Sequence, residues 1–445
     1  MTMDRIINRR LFFKIAGTGV GGYFLSPVDT FAQSGSYYGE ARILASAKYV
    51  IFIQLAGAPS QIDTFDLKVG AWTPADFRPT TINGVDFPEG LMPSLAGQAG
   101  RFSIVRSCQS NALVHNLLQA WNQIARNPAS ATGKIAPNMG CIVALESEAK
   151  RARGQNLPGF VALSSAGNLV RNGYLPGRYA PFDVNVGTAG LPNLTNSDTE
   201  AVFVDRYNIR QQLDAAGVRR SDFDEMADFY ASARGLMYDP AVSATFRFTA
   251  EDQLRYGNSG FGSSCIVARN LVRADLGTRY IMITLGGWDN HQGIYAQNAG
   301  VYRPARQLDA ALANLIADLA TIPGSDGRSK LDETLIIAKG EFGRTVGALT
   351  AQAGRDHYFV HSALLAGGGV RGGQVIGGTT PDGRFIDRPG WSGDREVTPE
   401  DIAATIYSAL GINYTTIRRD DPLGRGFEYV PSTTVWKASP IVDLF

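Results

Sequence analysis

Six short apolar runs alternate along this chain with longer segments of helical periodicity. Each run is rich in valine, isoleucine, leucine and phenylalanine, and the runs lie at residues 49–55, 102–105, 159–163, 280–285, 334–338 and 363–366. A near-continuous apolar run, without alternating polar residues, is typical of a strand that is buried on both faces of a parallel sheet. The pattern therefore predicts an α/β fold with a mostly parallel central sheet.

The segments between these runs predict helices on both faces of the sheet. The predicted helices lie at residues 117–126, 139–152, 200–215, 221–237, 263–274, 302–320 and 399–410. The last has a clear start, because Thr398 is a cap residue that precedes a first-turn proline and two acids. Residues from about 199 to 275 separate two groups of strands. We expect them to form a helical insertion in one α/β domain, with a division into two domains as the alternative.

Composition excludes two broad classes of protein. The 42 Lys and Arg residues nearly balance 41 Asp and Glu, so the formal net charge is +1 and no broad basic surface is available for nucleic acid. Mean hydropathy is −0.08, and no uninterrupted apolar stretch reaches the length of about 18 residues that a membrane span requires. Three cysteines are too few for a disulfide framework, so we expect buried free thiols.

The N-terminus resembles an export signal. Residues 8–14 read N-R-R-L-F-F-K, and a short glycine-rich apolar stretch follows at residues 15–25. Paired Arg9 and Arg10 in this setting match the twin-arginine pattern, although a first amphipathic helix is the alternative. We predict a signal peptide at residues 1–33 and a mature domain at 34–445, periplasmic or secreted, with the twin-arginine translocase as partner during export. This route carries folded cargo, often with its metal already bound.

Acidic and histidine side chains follow the predicted strands. They include Asp63 after the first strand, His115 after the second, Asp289 and His291 after the fourth, Glu341 and Arg344 after the fifth, and Asp356 and His357 before the sixth. The carboxyl ends of parallel strands meet at one edge of a sheet, so these side chains are expected to converge there. All four histidines of the chain fall in these segments.

This residue set predicts a site for one or two divalent metal ions. Carboxylate oxygens and imidazole nitrogens suit Zn²⁺ or Mn²⁺, and two such ions about 4 Å apart can clamp a phosphate or sulfate ester. The expected ligands are drawn from Asp63, Asp289, His291, Glu341, Asp356 and His357. Each side chain has another interpretation: Asp63 caps a turn, and His115 braces its own helix. Arg344 either binds a substrate oxyanion through two hydrogen bonds or forms an ion pair with Glu341.

Several of these segments together resemble a known family. G-A-P-S-Q-I-D-T-F-D, G-G-W-D-N-H, G-E-F-G-R-T, G-R-D-H-Y and V-T-P-E-D-I-A-A-T-I run in order between about Val50 and about Gly426. They resemble "domain of unknown function 1501", a family of exported bacterial proteins in the alkaline phosphatase-like, or sulfatase-like, superfamily. The resemblance implies a three-layer sandwich and, in active members, a two-metal site with a Ser, Thr or modified Cys nucleophile at a helix N-terminus.

The resemblance also suggests individual roles. Asp63 is similar to the first-strand metal aspartate, Asp289 and His291 to an Asp/His pair, and His357 to a later metal histidine. Glu341 occupies a strand end where active relatives have Asp-His, and Asp356-His357 is the alternative pair.

The nucleophile departs from the family pattern. Ser110 is the hydroxyl nearest to the expected position, and His115 is the other candidate catalytic residue there. The resemblance implies a metal-dependent hydrolase that acts on a small anionic phosphate or sulfate ester. The alternative is a non-catalytic exported binding or assembly protein that keeps the fold and part of the metal site.

Overall fold

The computed structural model describes residues 41–82, 84–165, 167, 169–195, 198–216, 221–432 and 436–445. The predicted signal peptide at residues 1–33 lies outside the described residues. Residues 41–431 and 437–445 belong to one compact unit. None of the helices in the described part of the chain is long and apolar enough to cross a membrane.

The described strands and helices alternate as the apolar pattern predicts. The strands are β1 (Tyr49–Leu55), β2 (Pro79–Ile82), β3 (Val85–Pro88), β4 (Phe102–Gln109), β5 (Phe160–Leu163), β6 (Phe182–Val184), β7 (Tyr280–Leu285), β8 (Thr334–Lys339), β9 (Gly343–Arg344), β10 (His357–Tyr358), β11 (Val360–Ala366), β12 (Val375–Ile376), β13 (Gly378–Thr379), β14 (Ile386–Arg388), β15 (Ile417–Arg418) and β16 (Phe427–Glu428). The α-helices are α1 (Pro93–Ala96), α2 (His115–Ile124), α3 (Ala131–Lys134), α4 (Met139–Ser147), α5 (Glu200–Ala216), α6 (Ser221–Leu236), α7 (Pro240–Thr245), α8 (Ala250–Arg255), α9 (Gly260–Ala274), α10 (Tyr302–Thr321) and α11 (Pro399–Ala409).

Eight strands form the central sheet, in the order β12-β4-β11-β8-β1-β7-β5-β6. The pairs β1 with β7, β1 with β8, β5 with β7, β5 with β6 and β4 with β12 are parallel. Only β11 runs against its neighbours β4 and β8 in this sheet. The predicted α/β fold with a mostly parallel sheet is therefore confirmed.

Helices cover both faces of the sheet. Ile51 is in register with Ile281 and Ile336, and this row belongs to a buried cluster that includes residues of α9 and α10. On the opposite face α4 approaches closely, because a Cβ at Gly140 would lie 2.6 Å from the rings of Phe160 and Tyr280. The arrangement has three layers, as the resemblance implies, and it explains why the strands are apolar on both faces.

Two element boundaries differ from the sequence prediction and bear on the site. The predicted helix at 117–126 begins two residues earlier, at His115, which places that imidazole in the first turn of α2. The predicted strand at 363–366 begins at Val360, so His361 lies inside β11 and is buried. His361 is the second residue of β11, opposite Cys108 near the end of β4, but it is buried and does not converge with the other three histidines.

Candidate metal centre

Four side chains converge at the edge of the sheet where the parallel strands end. They are His115, Asp289, His291 and His357, and one ligand atom from each lies within 4.8 Å of the ligand atoms of the others. His115 begins α2 after β4, Asp289 and His291 follow β7, and His357 begins β10, which precedes the antiparallel strand β11. The fold thus brings together residues from three distant parts of the chain.

Each of the three imidazoles directs its Nδ1 to an oxygen atom that accepts a hydrogen bond. The acceptors are the Glu341 carboxylate for His115, Asp356 Oδ1 at 2.9 Å for His291 and the Leu113 carbonyl oxygen at 2.9 Å for His357. A carbonyl or an ionised carboxylate only accepts, so each Nδ1 carries a proton. In the neutral form of each ring the lone pair is then on Nε2, and Arg344 Nη1 lies 3.3 Å from the Nε2 of His291.

These Nε2 lone pairs and a carboxylate oxygen face one another. The Nε2 atoms of His291 and His357 are 3.0 Å apart, and Asp289 Oδ1 is 3.2 Å from His291 Nε2 and 3.3 Å from His115 Nε2. His115 Nε2 is buried and makes no hydrogen bond within the described chain. Electron-rich atoms packed this closely repel unless a cation lies between them. Three imidazole nitrogens and one carboxylate oxygen are a donor set that suits Zn²⁺ and related divalent transition metals.

The protonation equilibria favour the ligand state of His357 and Asp289 and oppose that of His115. Burial lowers the pKa of His357, which keeps that ring neutral. Burial opposes the charge of Asp289, but the hydrogen bond and charge of Arg344, together with the neighbouring histidines, outweigh it and lower the pKa of that carboxyl. The hydrogen bond to Glu341 raises the pKa of His115, so protons and a metal ion compete for this ring.

Glu341 and Asp356 are both predicted as ligands. In the structure they instead accept hydrogen bonds from the Nδ1 atoms of His115 and His291, on the side of each ring that faces away from the converging group. Glu341 is fully buried, and its Oε1 accepts hydrogen bonds from the Gly57 amide at 2.8 Å and from Gln119 Nε2 at 2.7 Å. Its other oxygen contacts His115 Nδ1. A carboxylate that orients a histidine in this way fixes the ring and strengthens its bond to a metal.

Arg344 is committed to the protein. Its side chain is 1% exposed, and its Nε donates to the Ala58 carbonyl at 3.0 Å while Nη1 donates to the Arg355 carbonyl at 3.1 Å. Its Nη2 contacts the Gly57 carbonyl and lies 2.6 Å from Asp289 Oδ1. The structure thus pairs Arg344 with Asp289 and places its Nη1 3.3 Å from His291 Nε2, whereas the described residues show no ion pair between Arg344 and Glu341, one of the two predicted alternatives.

Asp63, another predicted ligand, is not part of the converging group. Its Oδ2 lies 2.8 Å from Arg355 Nε and accepts a 2.6 Å hydrogen bond from Ser60, while its Oδ1 accepts a 2.6 Å hydrogen bond from Tyr295. Both members of the Asp63–Arg355 pair are buried. The charge of Asp63 is therefore balanced by an arginine that sequence analysis did not single out.

Ser110, the predicted nucleophile, is also outside the group. Its side chain is buried at the end of β4, and its hydroxyl donates to the Phe359 carbonyl at 3.2 Å. The converging group itself is open to solvent, since the side chains of Asp289 and His291 are 50% and 44% exposed. Catalytic metal sites commonly keep such an open position for water or substrate.

Comparison with solved structures finds distant likenesses. The lipoteichoic acid synthase LtaP from Listeria monocytogenes is 12% identical, with 89% of this chain and 77% of that chain covered and a TM-score of 0.35. A protein of the alkaline phosphatase superfamily from Vibrio parahaemolyticus is 12% identical, with 84% and 68% covered and a TM-score of 0.35. Ps i-CgsB, in complex with k-i-k-neocarrahexaose, is 11% identical, with 88% and 75% covered and a TM-score of 0.39.

Sequence comparison gives a clearer result at the level of the family. No curated protein matches the chain. The family model described as "Protein of unknown function (DUF1501)" matches residues 47–433, which include every residue of the metal group. The resemblance found in the sequence motifs is thereby confirmed, and the chain belongs to the DUF1501 family.

Proposed function

We propose that this protein is a metal-dependent hydrolase of phosphate or sulfate esters, with one divalent ion held by His115, Asp289, His291 and His357. The proposal rests on the convergence of three Nε2 lone pairs and one carboxylate at a solvent-open strand edge. An ion held by these residues would supply a Lewis acid for the ester oxygens and lower the pKa of water, provided that a fifth position stays open beside the exposed side chains of Asp289 and His291. Zn²⁺ or Mn²⁺ is the expected ion.

The chain's own residues prepare the position before any ion binds. Glu341, Asp356 and the Leu113 carbonyl hold the Nδ1 protons of the three rings, so each Nε2 lone pair is directed to the centre. Arg344 holds the Asp289 carboxylate and favours its ionised form. Preorganised ligands of this kind lose little conformational freedom when the ion binds.

In this proposal water attacks the ester, and Ser110 does not. The Ser110 hydroxyl is buried and already donates to the Phe359 carbonyl, so its attack would require that hydrogen bond to break. The exposed side chains of Asp289 and His291 leave the same centre accessible to water. A hydrolase that uses water directly forms no covalent ester with the protein.

The test is turnover of aryl phosphates and aryl sulfates by protein loaded with Zn²⁺ or Mn²⁺. We expect hydrolysis by the wild type, loss of hydrolysis after chelation or in His291→Ala, and retained hydrolysis in the matched variant Ser110→Ala. Loss of activity in a folded, metal-loaded Ser110→Ala protein would contradict attack by water. A metal-loaded wild type without turnover on either class would favour the alternative of an exported binding or assembly protein.

We also propose that the chain is exported by the twin-arginine route, with the twin-arginine translocase as its partner. Support comes from Arg9 and Arg10, which lie outside the described residues. A double Arg9→Lys, Arg10→Lys variant is expected to accumulate in the cytoplasm while the wild type reaches the periplasm or medium. Equal distribution of the two proteins would contradict this proposal.

A further inference from the structure

Two exposed apolar side chains lie close in sequence to ligands of the metal group, and hydrogen bonds join the segments that carry them. Val114 is 59% exposed and immediately precedes the ligand His115, and Phe359 is 46% exposed and follows the ligand His357 by two residues. A single exposed apolar residue is ordinary on a protein surface. Two beside one solvent-open site call for a functional explanation.

Hydrogen bonds hold the two segments side by side. The backbone amide of Ser110 donates to the Phe359 carbonyl at 3.1 Å, and His357 Nδ1 donates to the Leu113 carbonyl at 2.9 Å. The segment that leads into α2 therefore runs along the segment that contains β10. Val114 and Phe359 consequently lie in two neighbouring segments, each of which supplies one histidine of the metal group.

A third aromatic side chain extends this apolar side. Phe385 is 53% exposed and lies in the hairpin between β13 and β14. The hydroxyl of Tyr358 donates to the Arg384 carbonyl at 2.9 Å, which joins the hairpin to β10 next to Phe359. We call Val114, Phe359 and Phe385 the apolar rim.

The remaining exposed side chains of the group are polar. Asp289 and His291 follow β7, in a segment that holds none of the apolar rim, whereas Asp356 lies three residues before Phe359. A ligand with an anionic head and an apolar body matches this division, because the head binds the metal and the body covers apolar surface.

We propose that the apolar rim binds the organic part of the substrate, so that the esters of the proposed function are those of aromatic or similarly apolar alcohols. This inference rests on the proposed function and names its substrate class. Val114 and Phe359 lie one and two residues from the ligands His115 and His357, so they are the exposed apolar side chains nearest in sequence to an ester bound at the open metal position. Contact between that group and the rim removes apolar surface from water on both partners.

The test uses phosphonates, which bind without being hydrolysed. Binding of phenylphosphonate and methylphosphonate to the zinc-loaded protein is measured by calorimetry. We expect phenylphosphonate to bind the wild type about tenfold more tightly, since the two probes share a head and differ in apolar area. The double variant Val114→Ser, Phe359→Ser should reduce this ratio to near one, with zinc content and methylphosphonate affinity unchanged.

Leu254→Ser is the matched control, because Leu254 is an exposed side chain of α8, a helix that packs against α9 and α10. Its ratio should equal that of the wild type. A ratio near one in the wild type, or an undiminished ratio in the double variant, would overturn the inference and leave the proposed function intact. Failure of the zinc-loaded wild type to bind either phosphonate would contradict the proposed function and the inference together.

Discussion

The Nε2 atoms of His291 and His357 lie 3.0 Å apart, although each ring uses its Nδ1 proton to bind an oxygen on its far side. Two neutral rings in this state cannot hydrogen bond to each other, since neither Nε2 has a proton to donate. A cation between them removes the conflict. The ligand atoms of the group all lie within 4.8 Å of one another, a spacing that suits a single ion better than a pair. Each ion of a pair would need its own ligands.

Removal of one ligand imidazole should weaken metal binding far more than removal of the buried histidine outside the group. We expect the wild type to retain one equivalent of zinc after dialysis, and His115→Ala to bind zinc with an affinity lower by more than about 100-fold. His361→Gln is the control, because His361 lies inside β11 and does not belong to the group. Elemental analysis and competition with a chromogenic chelator give both values. Equal zinc retention by the two variants would contradict the assignment of His115.

Glu341→Gln should lower zinc affinity by about 10- to 100-fold while the fold persists. The amide can still accept the Gly57 hydrogen bond, but it lacks the charge that strengthens His115 as a ligand. Glu400→Gln makes the same change at another buried carboxyl, which accepts a hydrogen bond from Trp121, and should leave zinc affinity unchanged. Chelator competition measures both variants. Unchanged affinity in Glu341→Gln would show that Glu341 does not act through His115.

Asp63→Asn should destabilise the fold and spare the metal centre. The substitution leaves the buried guanidinium of Arg355 without its counter-charge, which costs about 3–5 kcal/mol. Asp382→Asn, which breaks an exposed pair with Arg384, should cost less than about 1 kcal/mol. Urea unfolding gives the free energies, and chelator competition gives the zinc affinity. A stable Asp63→Asn protein that has lost zinc would identify Asp63 as a ligand instead.

The buried side chain of Lys339 should make the free energy of unfolding depend on pH. Its ammonium is fully buried and bonds Asn122 Oδ1 at 2.8 Å and the Gly340 carbonyl at 3.0 Å, and burial lowers its pKa to about 8 from the ordinary 10.5. Between these two pH values the unfolded chain binds a proton that the folded protein has released, so stability rises with pH. Relative to Lys339→Met, the free energy of unfolding should rise by on the order of 3 kcal/mol across this window.

Denaturant unfolding at pH 8, 9 and 10 measures this difference, and the comparison with Lys339→Met cancels the contributions of other titrating groups. Below pH 8 both states hold the proton, so the difference between the two proteins should be constant there. A difference that does not change between pH 8 and 10 would contradict the lowered pKa of Lys339.

The sequence predicted the central strands and part of the site for a clear physical reason. Strands buried on both faces must be apolar throughout, and the residues after them must meet at one edge, which placed Asp289, His291 and His357 together. The two-residue strand β10 has no such pattern and was not predicted.

The parts that sequence analysis missed depend on partners distant in the chain. Asp63 and Arg355 form an ion pair although 292 residues separate them in the sequence. No local sequence pattern shows that this arginine balances the charge of the aspartate. Similarly, the sequence does not show whether the imidazole of His115 points toward the other three residues of the metal group. The packing of α2 sets that direction. The family pattern has a hydroxyl nucleophile at a helix N-terminus, and Ser110 is the hydroxyl nearest to that position in this sequence.

X-ray absorption spectroscopy of the zinc-loaded protein tests the central claim most directly, because it counts the imidazole ligands of the ion. The account predicts one zinc per chain with three imidazole nitrogens, one carboxylate oxygen and one water oxygen at about 2.0–2.2 Å, and two imidazoles in His115→Ala. A wild-type spectrum with fewer than three imidazoles, or with a second zinc nearby, would contradict it.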